Sequence, residues 1–169
     1  MPDVAAPAYQ LRPARHGRGL FAVRTIAPRE TILQLSGREY DGATLERVGF
    51  TPGYPLQVGE DRWLVLDAPA VFCNHSCEAN AGIRADLQLI ALRAIEAGEE
   101  ICFDYSTTML EHNAWTLDCG CGSPRCRGRV EDFDRLPPIR QRELLALGVV
   151  QPFIVEQLQR QSASTVAGA

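Results

Sequence analysis

A chain of 169 residues, 46% hydrophobic and 22% charged, has the size and composition of one soluble domain with a real core. Its net charge of −4 argues against direct nucleic-acid binding, which calls for a basic face, and suits a positively charged partner such as a Lys/Arg-rich peptide. No apolar run approaches the roughly 20 residues that span a bilayer, so no membrane partner is expected.

The opening Met1-Pro-Asp-Val-Ala-Ala-Pro7 lacks the basic start and long apolar run of a signal peptide. Six cysteines without such a signal read as metal ligands or free thiols, and the expected setting is cytoplasmic. After a short N-terminal extension (residues 1–9), strands are predicted at 20–23, 31–35, 63–66, 87–92 and 101–103, each a short apolar run between turn signals. Pro28-Arg29-Glu30 and Ala97-Gly98-Glu99 mark turns, and Ala85-Asp86 joins residues 81–84 to the run from Leu87 as a hairpin. One short helix is predicted around 44–48. Farther on, Pro137-Pro138 opens a packing helix that Gly148 stops, and a second short helix follows Pro152 with Phe153, Ile154 and Leu158. The small, polar tail 161–169 is expected to be disordered. The fold class is mainly β with short helices.

Four stretches hold residues able to do chemistry. Arg15-His-Gly-Arg-Gly-Leu-Phe-Ala22 is a two-glycine loop running into a strand, where backbone groups can approach a ligand closely. It lacks the third glycine and the following helix of a dinucleotide fingerprint. Asn74-His-Ser-Cys-Glu-Ala-Asn80 is a dense polar run directly after Ala70-Val-Phe72, and such groups need partners if buried. Gly98-Glu-Glu-Ile-Cys-Phe-Asp-Tyr105 sets a tyrosine at the end of an apolar strand, able to act as acid, base or hydrogen-bond partner. Cys119, Cys121 and Cys126 lie within eight turn-rich residues and read as three ligands of a tetrahedral zinc site. For the fourth ligand Cys77 leads, and spacing alone leaves Cys73, Cys102 and His112 in competition.

In this order and approximate spacing, Gly-Arg-Gly-Leu-Phe-Ala, Asn-His-Ser-Cys-x-x-Asn, Gly-Glu-Glu-x-x-Phe-Asp-Tyr and Cys-x-Cys-x4-Cys resemble the SET-domain protein lysine methyltransferases with a post-SET zinc segment. Leu66-Asp67-Ala68 is similar to that family's Ile-Asp-Ala. The resemblance covers roughly residues 10–130, and its compactness is like that of bacterial and other stand-alone members. It implies a SET fold of several small sheets with a pseudoknot over 10–108, a post-SET zinc segment over 109–130, and a helical stretch at 131–160 outside the family pattern.

The resemblance also implies roles. Gly17, Arg18, Gly19, Leu20, Asn74, His75 and Tyr105 would hold S-adenosylmethionine, Tyr105 would supply the catalytic-site hydroxyl, and Phe103 would tune how many methyl groups are added. Cys77 would join Cys119, Cys121 and Cys126 on one structural zinc. The implied activity is methyl transfer to the side-chain amine of lysine in a histone or other basic protein, with a host nucleus as the setting if the protein is delivered into another cell. The alternative, from a different class, is a SET-fold binding module that holds cofactor or peptide without turnover. Three departures stand out: Leu35 replaces a tyrosine of the lysine channel, Val71-Phe72-Cys73 replaces Arg-Phe-Ile, and the insert between Gly37 and Asp67 is short.

Overall fold

The computed structural model describes residues 6–50, 54–110 and 115–167, with side chains through residue 163. Its strands in chain order are β1 (Tyr9–Pro13), β2 (Arg18–Ala22), β3 (Thr31–Gln34), β4 (Gly37–Tyr40), β5 (Leu56–Gly59), β6 (Arg62–Leu66), β7 (Asn74–His75), β8 (Ala81–Ile83), β9 (Gln88–Ala91), β10 (Glu100–Phe103), β11 (Leu117–Asp118) and β12 (Arg129–Val130). They form small sheets in the orders β1-β2-β10-β7, β3-β9-β8, β4-β6-β5 and β11-β12. The expected class, small β-sheets with a few short helices, is the one observed.

Each predicted strand is present within a residue or two, and so are the turns. Arg29 takes a left-handed conformation (φ 67°) and so does Gly98 (φ 91°), which ends one strand and aims the chain into the next. The predicted hairpin is the antiparallel pair β8–β9. Helix α1 (Gly42–Val48) begins where the Asp41 carboxylate accepts the Thr44 N–H at 2.7 Å and ends at left-handed Gly49. The strands absent from the prediction are β1, β4 and β5 and the two-residue strands β7, β11 and β12. β1 and β4 are largely exposed, so they carry no apolar run, and β5 buries a polar residue, Gln57.

The pairing that positions the site is in the first sheet. β10 runs antiparallel to β2, with Ile101 opposite Leu20, and parallel to β7, with Cys102 opposite Asn74 and Phe103 opposite His75. Three motifs far apart in sequence thus lie on adjacent strands, the adjacency that a pseudoknot requires. Leu20, Ile26, Ile83, Leu89, Ile95 and Ile101 form the fully buried centre behind them.

A second core lies under α2 (Pro138–Leu147) and α3 (Pro152–Ala167), where Phe133, Leu144, Val149 and Ile154 meet Ile90 and Leu110. Val149 packs so closely on β8 that a Cβ at Gly82 would lie 2.7 Å from its Cγ1. Buried Gln151 donates its backbone N–H to Thr107 O at 3.0 Å and its side-chain amide to Ile83 O and Arg84 O, both at 3.4 Å. The C-terminal stretch is therefore part of the domain body. Two expectations need correction here: α3 is not short, and most of the tail expected to be disordered is helix, as far as Ala167. Once Phe153 and Ile154 anchor the first turns, each added Gln, Ser or Ala needs only the small cost of propagation. Residues 168–169 lie outside the described residues.

Candidate active site

The two-glycine loop is a tight turn between β1 and β2, closed by Ala14 N–H to Gly17 O at 3.0 Å. Gly17 is left-handed (φ 72°), and no atom lies within 4 Å of where its Cβ would be, so its backbone faces open space. Gly19 is the reverse case. A Cβ there would lie 2.3 Å from Glu100 Oε1 and 3.1 Å from Asn74 Nδ2. Those two atoms are themselves bonded at 2.7 Å, and Asn74 Nδ2 also donates to Arg18 O at 3.0 Å. One amide thus ties the loop to β10. Gly19→Ala is expected to push the Glu100 carboxylate aside and break its bond to Asn74, lowering stability by about 0.5–1.5 kcal/mol, the net worth of one hydrogen bond. An unchanged urea midpoint would sink that expectation.

A cavity of about 450 Å³ extends from Gly17 and Arg18 past Asn74 to Phe103 and Tyr105, with Tyr54 and Trp115 also in its wall. That volume is within the range of small-molecule sites. Arg18 lies over the Phe72 ring at 4.8 Å. The Tyr105 hydroxyl donates to Cys73 O at 3.0 Å, and its ring packs against Phe103 at 4.7 Å and His75 at 5.3 Å. Burial raises its phenol well above the ordinary tyrosine value, so it stays a hydrogen-bond donor and does not serve as a base. No carboxylate is among the described residues lining this cavity. Of the expected cofactor contacts, Gly17, Arg18, Asn74 and Tyr105 line the cavity and Gly19, Leu20 and His75 do not; the Leu20 side chain is fully buried in the core, because alternation along β2 turns it inward. Leu35 is likewise a buried core residue outside the cavity lining.

His75 sits behind Tyr105. Its Nδ1 accepts the Tyr105 N–H at 3.2 Å, which assigns the remaining ring proton to Nε2, 3.3 Å from Cys77 Sγ. Burial pushes its pKa down to about 4 against the opposing pull of Asp104, so the ring is neutral at physiological pH.

The sulfur atoms of Cys77, Cys119, Cys121 and Cys126 all lie within 4.8 Å of one another. Cys77 Sγ and Cys119 Sγ are 3.7 Å apart, close to the roughly 3.8 Å edge of a tetrahedron with metal–sulfur bonds of about 2.3 Å. Burial opposes ionisation of Cys121, but backbone N–H groups of Cys77 and Ser123, together with the Cys119 and Cys126 thiols, outweigh it and bring its pKa down to about 6. The donor set and spacing fit zinc. The rival thiols Cys73 and Cys102 stand outside this group of four sulfurs, and Cys73 instead donates to Ile101 O at 3.4 Å. His112 lies outside the described residues.

The cysteine segment touches the body at three further places. His16 Nε2 lies 3.0 Å from Gly120 O, and Glu78 accepts from Arg125 at 2.7 Å and from Ser123. The third contact is buried: Arg127 donates to both oxygens of Asp104, at 2.8 and 2.7 Å, with Arg140 of α2 at 3.7 Å from the same carboxylate. The sequence reading passed over Asp104, Arg127 and Arg140. The available signal was an acid at the end of an apolar strand, which when buried requires a cation.

A family model described as the SET domain matches residues 17–106, more than half of the chain. The chain is 31% identical over 141 residues to "Histone-lysine N-methyltransferase, H3 lysine-4 specific" of Saccharomyces cerevisiae. It is 36% identical over 132 residues to "Histone-lysine N-methyltransferase 2B" of Homo sapiens and 32% over 132 residues to "Histone-lysine N-methyltransferase set-2" of Caenorhabditis elegans. These alignments take in 72%, 69% and 67% of this chain, but the chain spans only 13%, 5% and 8% of those relatives.

Proposed function

The chain belongs to the SET-domain family, and on that footing we propose that it transfers a methyl group from S-adenosylmethionine to the side-chain amine of lysine in another protein. The observation that carries this reading is the oxygen pair Tyr105 Oη and Cys73 O, 3.0 Å apart in the wall of a cavity that also opens on the Gly17–Arg18 loop. Gly17, Arg18 and Asn74 would hold the cofactor, whose sulfonium supplies the electrophilic methyl, with His75 supporting Tyr105 from behind. The Tyr105 hydroxyl and the Cys73 carbonyl would hold that methyl by weak C–H···O contacts and keep it in line with the incoming amine.

The amine must arrive without its proton, because its lone pair forms the new N–C bond as the S–C bond breaks. A lining free of carboxylates favours the neutral amine by withholding any partner from the ammonium form, and the proton leaves to solvent before docking. Phe103, buried at the cavity wall, would limit the space around the methylated nitrogen. Zinc on the four cysteines would cross-link the segment 119–126 to the loop after β7. A basic substrate, a histone tail among the candidates, is supported by the net charge of −4 and by the names of the relatives.

These 169 residues contain no lysine, since all 17 basic residues are arginine. With these 169 residues as the enzyme, label found in lysine can come only from the added protein. The test is incubation with methyl-labelled S-adenosylmethionine and histones, followed by hydrolysis. Label is expected in methyl-lysine of the added protein. Cofactor binding with no transfer to histones or to a panel of other basic proteins would favour the non-catalytic binding module instead.

A further inference from the structure

Arg127, next to the last cysteine of the cluster, reaches in two directions. Its backbone N–H lies 3.4 Å from Cys77 Sγ, and its guanidinium grips both Asp104 oxygens and sits 3.4 Å from Ser106 Oγ. Asp104 is 1% exposed, directly precedes Tyr105, and accepts the Ser106 N–H at 3.3 Å, capping the 3-10 turn Tyr105–Thr108. A second path leaves the same sulfur through His75, whose ring bridges Cys77 Sγ and the Tyr105 N–H. Two hydrogen-bonded routes therefore join Cys77 to the backbone on both sides of Tyr105.

We propose that Arg127 is a positioning residue that couples metal binding at the four cysteines to the placement of Tyr105. The importance of Tyr105 rests on the function proposed above; the coupling does not. A metal held by Cys77 fixes the position of its sulfur, and with it the two N–H groups aimed at that sulfur, from Arg127 at 3.4 Å and from His75 at 3.3 Å. Order there fixes the guanidinium, and the two-point grip passes that order to the Asp104 carboxylate and the turn it caps. The effect is reciprocal: an ordered turn must favour metal binding by the same factor. A lysine at this position would neutralise Asp104 without gripping both oxygens, because an ammonium is a point charge and not a fork.

The test uses the full chain with its four tyrosines replaced by 3-fluorotyrosine, the Tyr105 ¹⁹F line being identified with Tyr105→Phe. Zinc added to chelator-stripped wild type is expected to move the Tyr105 line. Arg127→Gln is expected to bind zinc about 10–100-fold more weakly in chelator competition, the range for an outer partner of a metal ligand, and to keep the Tyr105 line at its metal-free position at saturating zinc. Arg127→Lys, which keeps the buried charge balanced if the Gln variant fails to fold, should show the same two defects in weaker form. Arg129→Gln, an exposed arginine of the same segment, should match wild type. A Tyr105 line that zinc does not move in wild type overturns the coupling, as does wild-type zinc affinity or a full shift in both Arg127 variants. Methyl transfer is not read here, so its failure would count against the proposed function alone.

Discussion

Tyr105→Phe is expected to lower the turnover of methyl transfer by about 100-fold or more, the usual result of removing one preorganised hydrogen-bonding group from an active site. The substitution deletes a single oxygen. The ring keeps its packing on Phe103 and His75, and the Tyr105 backbone keeps its bond to His75 Nδ1. The only group left unpaired is the Cys73 carbonyl, which costs about 1–3 kcal/mol of stability. Cofactor affinity and zinc content should therefore stay near wild type while single-turnover methyl transfer collapses. Because burial keeps the phenol protonated far beyond neutral pH, the residual activity should follow the wild-type pH profile with no lost titration. Turnover within a few-fold of wild type would remove the hydroxyl from the mechanism.

Asp104→Asn is expected to be the most damaging single change to the fold, costing about 3–5 kcal/mol, the price of breaking a buried ion pair from one side. The amide is isosteric, so packing is not the cause. It removes the carboxylate that pairs with Arg127 at 2.7 Å and lies 3.7 Å from Arg140, so the largely buried Arg127 guanidinium loses its ion-pair partner while Arg140 keeps only Glu143 at 3.2 Å. Both cations belong to segments that follow the matched family region, so the loss should loosen the cysteine segment and α2 together. A chain of this size loses about 2–4 °C of melting temperature per kcal/mol, which predicts a drop of roughly 6–20 °C. Thermal melts with zinc in excess measure it. A drop below about 2 °C would mean that water or a neighbouring acid already balances these arginines.

The readable parts of this protein were those that leave a local mark. Apolar runs between turn residues marked β3, β6, β9 and β10, and Pro138 with Gly148 marked both ends of α2. The exposed strands β1 and β4 left none, since they are held by pairing with β2 and β6 and not by their own apolarity. Spacing revealed three cysteines as a group but not the fourth, because Cys77 joins them across 42 residues through the fold. The rejection of Cys73 and Cys102 likewise came only from where β7 and β10 put them. Arg127 was the least legible. In sequence it is one more arginine beside a cysteine, and its meaning depends on a carboxylate 23 residues upstream that is nearly without solvent.

The place of β10 between β2 and β7 also bears on how the protein is made. A chain that emerges from the ribosome N-terminus first presents β2 and β7 before the strand that must lie between them exists. At about 5–20 residues per second, the stretch from β7 to β10 takes roughly 1–5 seconds to synthesise. Through that interval Leu20 has no Ile101 to face, and two strand edges stay open to any other extended chain. During its own translation the protein therefore passes through a stage with unpaired strand edges that the finished fold does not have, and a binder of nascent chains acting then would cover them.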